Sequence, residues 1–184
     1  MQLVYILTLF ALGLVILYAV LITAMKIKLK RLERRFGGKV TANLFRPAYI
    51  LEDIELLYDF GSQFNPGNTR IRVLDKPKKP ITFELSPKGY LFKRKGSTFE
   101  ELYDVNCVVQ SGFPFLTDDL KDFLAANANC GMNLVINQND FILSTDNSPF
   151  YIKKIESCIE LLLKIRNRIK AYESNQYQNG AGPG

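Results

Sequence analysis

The chain has 184 residues, of which 47% are apolar and 23% are charged, so its length and composition suit one folded domain. Its formal net charge of +6 would favour a nucleic-acid-binding protein only if the excess cations were spread over a folded surface. The distribution argues against that class, because seven cations and one carboxylate lie between residues 26 and 39, and the remaining cations and carboxylates balance.

The first 25 residues contain no charged side chain and are almost entirely apolar. A helix rises about 1.5 Å per residue, so roughly 20 such residues cross the hydrocarbon of a bilayer, which is about 30 Å thick. A helix is also the conformation in which a single span satisfies its own backbone hydrogen bonds within lipid. We therefore predict a transmembrane helix over residues 1–25.

Two other interpretations of this segment fit the sequence less well. A buried core helix would need apolar cover on all sides, and the rest of the chain is too small to supply it. A cleaved signal peptide begins with cations, has a shorter apolar run and ends in small residues, whereas here the cations follow the run.

A basic collar, residues 26–38, follows the span. We predict that it is helical and that the helix ends at Gly37 and Gly38, because glycine commonly terminates helices. Each Lys or Arg beside an anionic leaflet contributes on the order of 1 kcal/mol. Such cations stay on the inner side of a span, which predicts an N-terminus outside the plasma membrane and a cytoplasmic C-terminal domain. The residues predicted to contact the membrane surface are Lys26, Lys28, Lys30, Arg31, Arg34, Arg35 and Lys39.

The thiols and the missing imidazoles restrict the chemistry that the domain could perform. Cys107, Cys130 and Cys158 are odd in number and widely spaced, which predicts reduced, mostly buried thiols in a cytoplasmic domain. The chain has no histidine, which excludes zinc sites that use imidazole and catalysis by Ser-His-Asp or Cys-His groups. We predict no catalytic residue, no cofactor, no metal and no identifiable small-molecule ligand.

We predict a cytoplasmic α+β domain over residues 39–172, in which antiparallel hairpins pack against a long C-terminal amphipathic helix. Pro66 and Gly67 predict a type II turn within Phe64–Thr69. Single strands are expected at Val40–Leu44, Ile54–Phe60, Thr69–Leu74 and Val105–Gln110, and hairpins at Ile81–Leu85 with Tyr90–Arg94 and at Asn133–Asn137 with Phe141–Ser144.

Two helices are expected among these strands. Thr117 as an N-cap before Asp118 and Asp119 predicts a short helix that ends near Ala126. Ser148 as a cap and Pro149 at the first helical position predict a longer helix, followed by a disordered tail over residues 173–184. The apolar positions that give this longer helix its buried face are Ile152, Ile155, Ile159, Leu162 and Ile169.

Two charged patterns have both a functional and a structural interpretation. Asp118, Asp119 and Asp122 match the D-D-x-x-D spacing that binds Mg²⁺ and diphosphate in prenyl synthases, but an acidic first turn of a helix explains them more simply. Lysine-rich segments at residues 76–79 and 93–95 predict a solvated strand edge, with contact to the bilayer as the alternative and no nucleic-acid binding.

The segments ERRFGGKV, TRIRVLD and YDVNCVVQSG are followed by a short helix, a hairpin and a long closing helix. In this order they resemble bacterial membrane-anchored domains that are known only as families of unknown function. The resemblance spans about Arg35 to Ile169 and implies a cytoplasmic α+β domain. It implies no activity, and no functional residue follows from it.

The sequence therefore predicts a single-pass, membrane-anchored interaction or scaffold module without catalysis, acting as an accessory subunit of a membrane protein complex. Its expected partners are the lipid bilayer and a protein of that complex. One alternative is a peripheral sensor of anionic lipid or headgroups, suggested by the basic collar. The other is an enzyme acting at the membrane surface, which would have to use carboxylates, Tyr, Lys or Cys.

Overall fold

The computed structural model describes residues 2–41, 47–59, 68–78, 81–88, 98–109, 116–145 and 151–179. A long apolar N-terminal helix, an eight-stranded antiparallel sheet and a long C-terminal helix confirm the α+β content predicted from the sequence. The elements are α1 (Gln2–Phe36), β1 (Lys39–Val40), β2 (Tyr49–Leu51), β3 (Ile54–Asp59), β4 (Asn68–Val73), β5 (Ile81–Pro87), α2 (Phe99–Leu102), β6 (Tyr103–Val109), α3 (Asp118–Ala126), a 3₁₀ turn (Ala128–Cys130), β7 (Met132–Ile136), β8 (Phe141–Thr145) and α4 (Ile152–Asn179).

The strands form one sheet in the order β1-β2-β3-β4-β8-β7-β5-β6. β1 to β4 are neighbours in the chain and in the sheet, whereas β8 pairs with β4, so that Ile71 lies opposite Leu143. β7 then joins β8 to β5, with Leu134 opposite Leu85. The pairing of β4 with β8 is therefore the contact that unites the two halves of the chain in one sheet.

One face of the sheet is buried, because apolar residues alternate with polar ones along most strands. In β4 the side chains of Ile71 and Val73 are buried and those of Arg70 and Arg72 are exposed. Buried side chains of all four α-helices join the same core cluster as this face, so the domain has a helical layer on one side of a sheet. The cysteines follow the same division: Cys130 and Cys158 are buried, Cys107 on β6 is exposed, and all three are free thiols.

The second predicted hairpin and the short predicted helix are confirmed. β7 and β8 pair across a turn in which Asn137 Oδ1 accepts hydrogen bonds from the backbone N–H groups of Asn139 and Asp140, each at 2.7 Å. α3 begins at Asp118, directly after the extended residue Thr117, and ends at Ala126. The hairpin prediction rested on local turn chemistry. The helix prediction rested on Thr117 as an N-cap, but the Thr117 side chain makes no capping hydrogen bond and its hydroxyl donates to Asp119 Oδ1.

Several predictions fall wholly or partly on residues outside the described ranges. These are most of the turn at Phe64–Thr69, the strand Tyr90–Arg94, the cations at 93–95 and the cap at Ser148 and Pro149. Where β5 is described, its partners are β6 on one side and β7 on the other. Both partner strands lie later in the chain. The sequence pattern around Ile81–Leu85 therefore predicted the strand itself but not the strands with which it pairs.

α4 continues to Asn179, beyond residue 173 at which the sequence predicted a disordered tail. Residues 173–179 contain no Gly or Pro, and Gly180 is the first residue that breaks a helix. Apolar periodicity ends near Ile169 because the helix leaves the core there, not because it stops. β2 and the short α2 were not predicted from the sequence. The backbone N–H of Thr98, the residue that precedes α2, donates to Glu101 Oε2 at 3.0 Å.

Candidate functional site

The candidate site is the N-terminal helix and its junction with the domain. Between Leu3 and Leu21 the large apolar side chains of α1 are all exposed, with fractions from 40% at Leu21 to 70% at Leu3. An apolar surface of this extent is unusual for a soluble chain. Residues 2–21 rise about 30 Å, which matches the hydrocarbon thickness of a bilayer. Within the described residues, α1 is the one helix long and apolar enough to cross a membrane.

The same helix enters the core of the domain without interruption. Ile22, Met25, Leu29 and Leu32 are buried and recur at intervals of three or four residues, which places them on one face of α1. Ile27 lies on the opposite face and is 64% exposed. The domain therefore begins within the last turn of the predicted span, because Ile22 and Met25 belong to its core.

Two arginines connect this part of α1 to α4. Arg31 Nε donates to Glu156 Oε1 at 3.0 Å, and Arg35 donates through Nη1 to Glu156 Oε2 and through Nη2 to Glu160 Oε1, the latter at 2.5 Å. Only 3% of Glu156 is exposed, whereas about half of each arginine side chain reaches solvent. A carboxylate buried to this degree needs charged or hydrogen-bonding partners, and the two arginines supply them.

These contacts also give the relative direction of the two helices. Arg31 contacts Glu156, and Arg35, one turn later, contacts Glu156 and Glu160. Residue numbers rise together along both helices, so α4 runs parallel to α1 where they meet. The first turn of α4 therefore points back toward the apolar segment of α1, and the C-terminal end of α4 points away from it.

The C-terminal end of α1 is held by a tyrosine. The hydroxyl of Tyr49 on β2 donates to the carbonyl oxygen of Gly37 at 2.8 Å, directly after the last helical residue. Burial, with a smaller contribution from the charge of Glu33, raises the pKa of Tyr49 to about 12. The phenol is therefore neutral at physiological pH and remains a donor to the helix end.

The seven predicted membrane-contact residues fall into three groups. Arg31 and Arg35 bind carboxylates of α4, so part of the cationic charge fastens the helix to the domain. Lys26 is partly buried. The side chains of Lys28, Lys30, Arg34 and Lys39 are exposed. Their contact with lipid stays a prediction.

Of the three aspartates that match the metal-binding spacing, Asp119 has arginine and hydroxyl partners. Asp119 accepts hydrogen bonds from Arg168 Nη2 at 2.7 and 2.9 Å and from the Thr117 hydroxyl at 2.5 Å. Asp53 binds Arg166, which also contacts Glu52 at 3.1 Å. Across the described ranges, no group of three Cys, Asp or Glu side chains could hold a metal ion. The cations near the end of α4 thus join this helix to the β2–β3 turn and to α3.

Sequence reasoning missed the acceptor of the α1–α4 contact. Glu156 lies one turn after Ile152 and next to Ile155, on the face of α4 that packs into the core. A carboxylate at an apolar position of an amphipathic helix is the signal that could have identified it, because such a group needs a buried partner. The sequence offered several cations and did not indicate which of them meets it.

No family model matches the chain, no curated protein matches it, and no solved structure matches it. The resemblance to membrane-anchored domains of unknown function therefore stays a prediction, and the functional argument rests on the geometry of α1 and its junction with the domain.

Proposed function

We propose that this chain is a single-pass membrane protein whose cytoplasmic domain serves as an interaction or scaffold module in a membrane protein complex. The observation that carries the proposal is the continuity of α1, which is exposed and apolar over residues 2–21 and then buried in the domain core from Ile22. A cleaved or loosely tethered segment would not contribute side chains to the core of the domain that follows it.

The charge distribution supports the orientation. The first cations of the chain follow the apolar segment, and Lys28 and Lys30 are exposed within a few residues of its end. Cations next to a span favour the cytoplasmic side because translocating them is costly. The domain then lies in the cytoplasm, and the N-terminal end of α1 lies outside.

The rigid attachment supports a scaffold role over a tethered one. Four buried apolar residues and the contacts of Glu156 join α1 to the domain, so the domain is held at a defined depth below the bilayer. A flexible linker would let the domain sample many distances from the bilayer, whereas a continuous helix holds the domain at one distance from neighbouring membrane proteins. Asp53, Asp119 and Glu156 each bind an arginine, which supports a structural use of these carboxylates.

Sidedness is tested with the native thiols of the full chain in intact cells. Cys107 is exposed while Cys130 and Cys158 are buried, so Cys107 is the expected site of a membrane-impermeant maleimide. We expect no labelling in intact cells and labelling after permeabilisation, at mildly alkaline pH because burial raises the pKa of the Cys107 thiol. Cys107→Ser is the matched control and should abolish the signal. Labelling of intact cells at Cys107 would place the domain outside and overturn the orientation.

The interaction role is tested on the full chain solubilised in mild detergent from its native membrane. We expect a particle larger than one chain with its micelle, and a partner of fixed stoichiometry that remains after a salt wash. A monomeric particle from which the domain turns over a metabolite would overturn the proposal in favour of an enzyme at the membrane surface.

A further inference from the structure

The contacts between α1 and α4 set the level of the first turn of α4 relative to the apolar segment. Arg31 meets Glu156, and the two helices are parallel at this point. α4 begins at Ile152, four residues before Glu156, and Ile27 precedes Arg31 by the same number. The first turn of α4 therefore lies level with Ile27 on α1.

That level is close to the bilayer surface expected from α1. The apolar segment ends at Leu21, and Ile27 follows it by about 9 Å along the helix axis. The headgroup layer adds about 5–8 Å to each side of the hydrocarbon. The first turn of α4 thus lies at the outer boundary of the headgroups, within reach of long side chains that extend toward them.

The side chains at this end of α4 suit such a position. The side chain of Tyr151 is 62% exposed, and Lys154 Nζ lies 5.5 Å from the centre of its ring. Lys153 is exposed beside them. Tyrosine is favoured at membrane interfaces because its ring is apolar and its hydroxyl is polar, and lysine is attracted to anionic lipid.

The neighbouring turn of α1 adds charge of the same sign. Lys28 precedes Arg31 by three residues, which places both on one side of α1, and Lys153 stands in the same relation to Glu156 on α4. Arg31 lies level with the carboxylate of Glu156, whereas Lys28 lies level with the cation Lys153. Two like charges at one level are stabilised by an anion between or beside them, and the phosphates of an anionic leaflet are the nearest source.

We propose that Tyr151, Lys153 and Lys154, together with Lys28, form a second membrane contact that binds the anionic headgroups of the inner leaflet. This inference rests on the proposed anchoring of α1 in the bilayer. A single helix fixes the depth of the domain but leaves it free to rotate about the helix axis. A second contact on α4 selects one rotation, and with it one face of the domain for a partner in the membrane.

The absence of tryptophan from the chain allows a direct test with single-tryptophan variants of the full-length protein. Tyr151→Trp reports on the proposed contact. Tyr172→Trp is the matched control, because Tyr172 lies on the same helix about 30 Å from its first turn, in the direction away from the bilayer. Phe10→Trp reports on the anchor itself, since Phe10 is 65% exposed in the middle of the apolar segment.

Each variant is reconstituted into vesicles of phosphatidylcholine with or without phosphatidylglycerol. Vesicles that hold the variants at positions 151 and 172 contain a lipid with a nitroxide on its headgroup. Vesicles that hold the variant at position 10 contain a lipid with a nitroxide deep in its acyl chain. We expect the tryptophan at position 151 to lose more fluorescence than the one at position 172, with a larger loss in vesicles that contain phosphatidylglycerol. Adding Lys153→Gln and Lys154→Gln should reduce that dependence on anionic lipid.

The outcomes separate this inference from the anchoring on which it rests. Equal fluorescence loss at positions 151 and 172, with strong loss at position 10, overturns the second contact and leaves the anchor intact. Weak loss at position 10 overturns the anchor and the second contact together. Strong loss at position 151 that is independent of phosphatidylglycerol and of the two lysines overturns the proposed binding of anionic headgroups, because the residue would then only lie near the lipid.

Discussion

Glu156 is the residue on which the attachment of α1 to the domain depends most. It is almost completely buried, and both of its oxygens accept hydrogen bonds from arginines of α1. Glu160 takes part in the same contact, but its side chain is 34% exposed. The two glutamates therefore have the same partner, Arg35, in different surroundings, which makes them a matched pair for mutation.

We expect Glu156→Gln to lower the free energy of unfolding by about 1.5–3 kcal/mol, the range for hydrogen bonds to charged groups, because it removes a buried acceptor charge. Glu160→Gln should cost less than about 1 kcal/mol, as is usual for exposed ion pairs. Urea unfolding of the full chain in detergent micelles, followed by circular dichroism, measures both. An equal loss in the two variants would contradict the role assigned to the burial of Glu156.

Asp119 links α3 to α4 and gives the link a pH dependence. Hydrogen bonds from Thr117 and then from Arg168 hold the pKa of Asp119 below its ordinary value of 3.8. A carboxyl whose pKa is lower in the folded state contributes stability that is complete above 3.8 and is lost as the pH falls through the folded-state value.

We therefore expect Asp119→Asn to be less stable than the natural chain at neutral pH and the difference to shrink as the pH falls below 3.8. Thermal unfolding over a pH series measures the difference. Asp118→Asn is the control, because it removes a charge from the same helical turn while leaving the contact with Arg168 in place. A difference at Asp119 that stays constant on acidification would show that the charge is not what stabilises the link.

At the scale of elements, the end of α1 shows that two adjacent glycines can be required for different reasons. Gly37 and Gly38 both have φ of +80°, a conformation that other residues adopt at a cost. A Cβ on Gly37 would meet no atom within 4 Å, whereas a Cβ on Gly38 would lie 2.3 Å from the carbonyl oxygen of Ile50. The second glycine therefore also allows the chain to pass close to β2.

We expect Gly37→Ala to lower the free energy of unfolding by about 1–2 kcal/mol, the cost of the left-handed conformation. Gly38→Ala should cost clearly more, because the backbone of β1 or β2 must also move. Denaturant unfolding of both variants under one condition measures the comparison. Equal losses would mean that the close approach at Ile50 is relieved without cost.

At the scale of the whole molecule, the structural boundary of the domain differs from the boundary that charge and composition suggest. The sequence predicted a span over residues 1–25, a collar over 26–38 and a domain from 39 onward. Met25, Leu29 and Leu32 of α1 are nevertheless in the core. Burying one such side chain contributes about 1.5–3 kcal/mol, so three of them approach the 5–15 kcal/mol by which a typical domain is stable.

We expect a chain that begins at residue 21 to remain folded and soluble without detergent, because it keeps the buried face of α1 and loses the exposed apolar segment. A chain that begins at residue 39 should aggregate or unfold without cooperativity, because it exposes the core and leaves Glu156 without Arg31 and Arg35. Size-exclusion chromatography and thermal unfolding distinguish the two chains. Cooperative unfolding of the chain from residue 39 would restore the boundary predicted from the sequence.

Local signals were sufficient for several elements. The apolar run of α1, the acidic first turn of α3 and the turn at Asn137 are patterns of neighbouring residues, and the structure has the expected helix or hairpin at each. Signals that depend on distant residues were not sufficient. The neighbours of β5 lie after residue 100, and nothing in the pattern of Ile81–Leu85 selects β6 and β7 over a nearer strand.

The sequence by itself determined that the chain has a long apolar N-terminal helix, a cluster of cations directly behind it and an α+β domain, because composition and short-range periodicity express these properties. Only the tertiary structure decided that Arg31 and Arg35 bind α4, that α4 runs parallel to α1, and that Tyr151 is exposed beside the first turn of α4. The physical reason is that the sequence shows the charge of an arginine but not the carboxylate that binds it. That carboxylate is determined by packing against residues more than a hundred positions away.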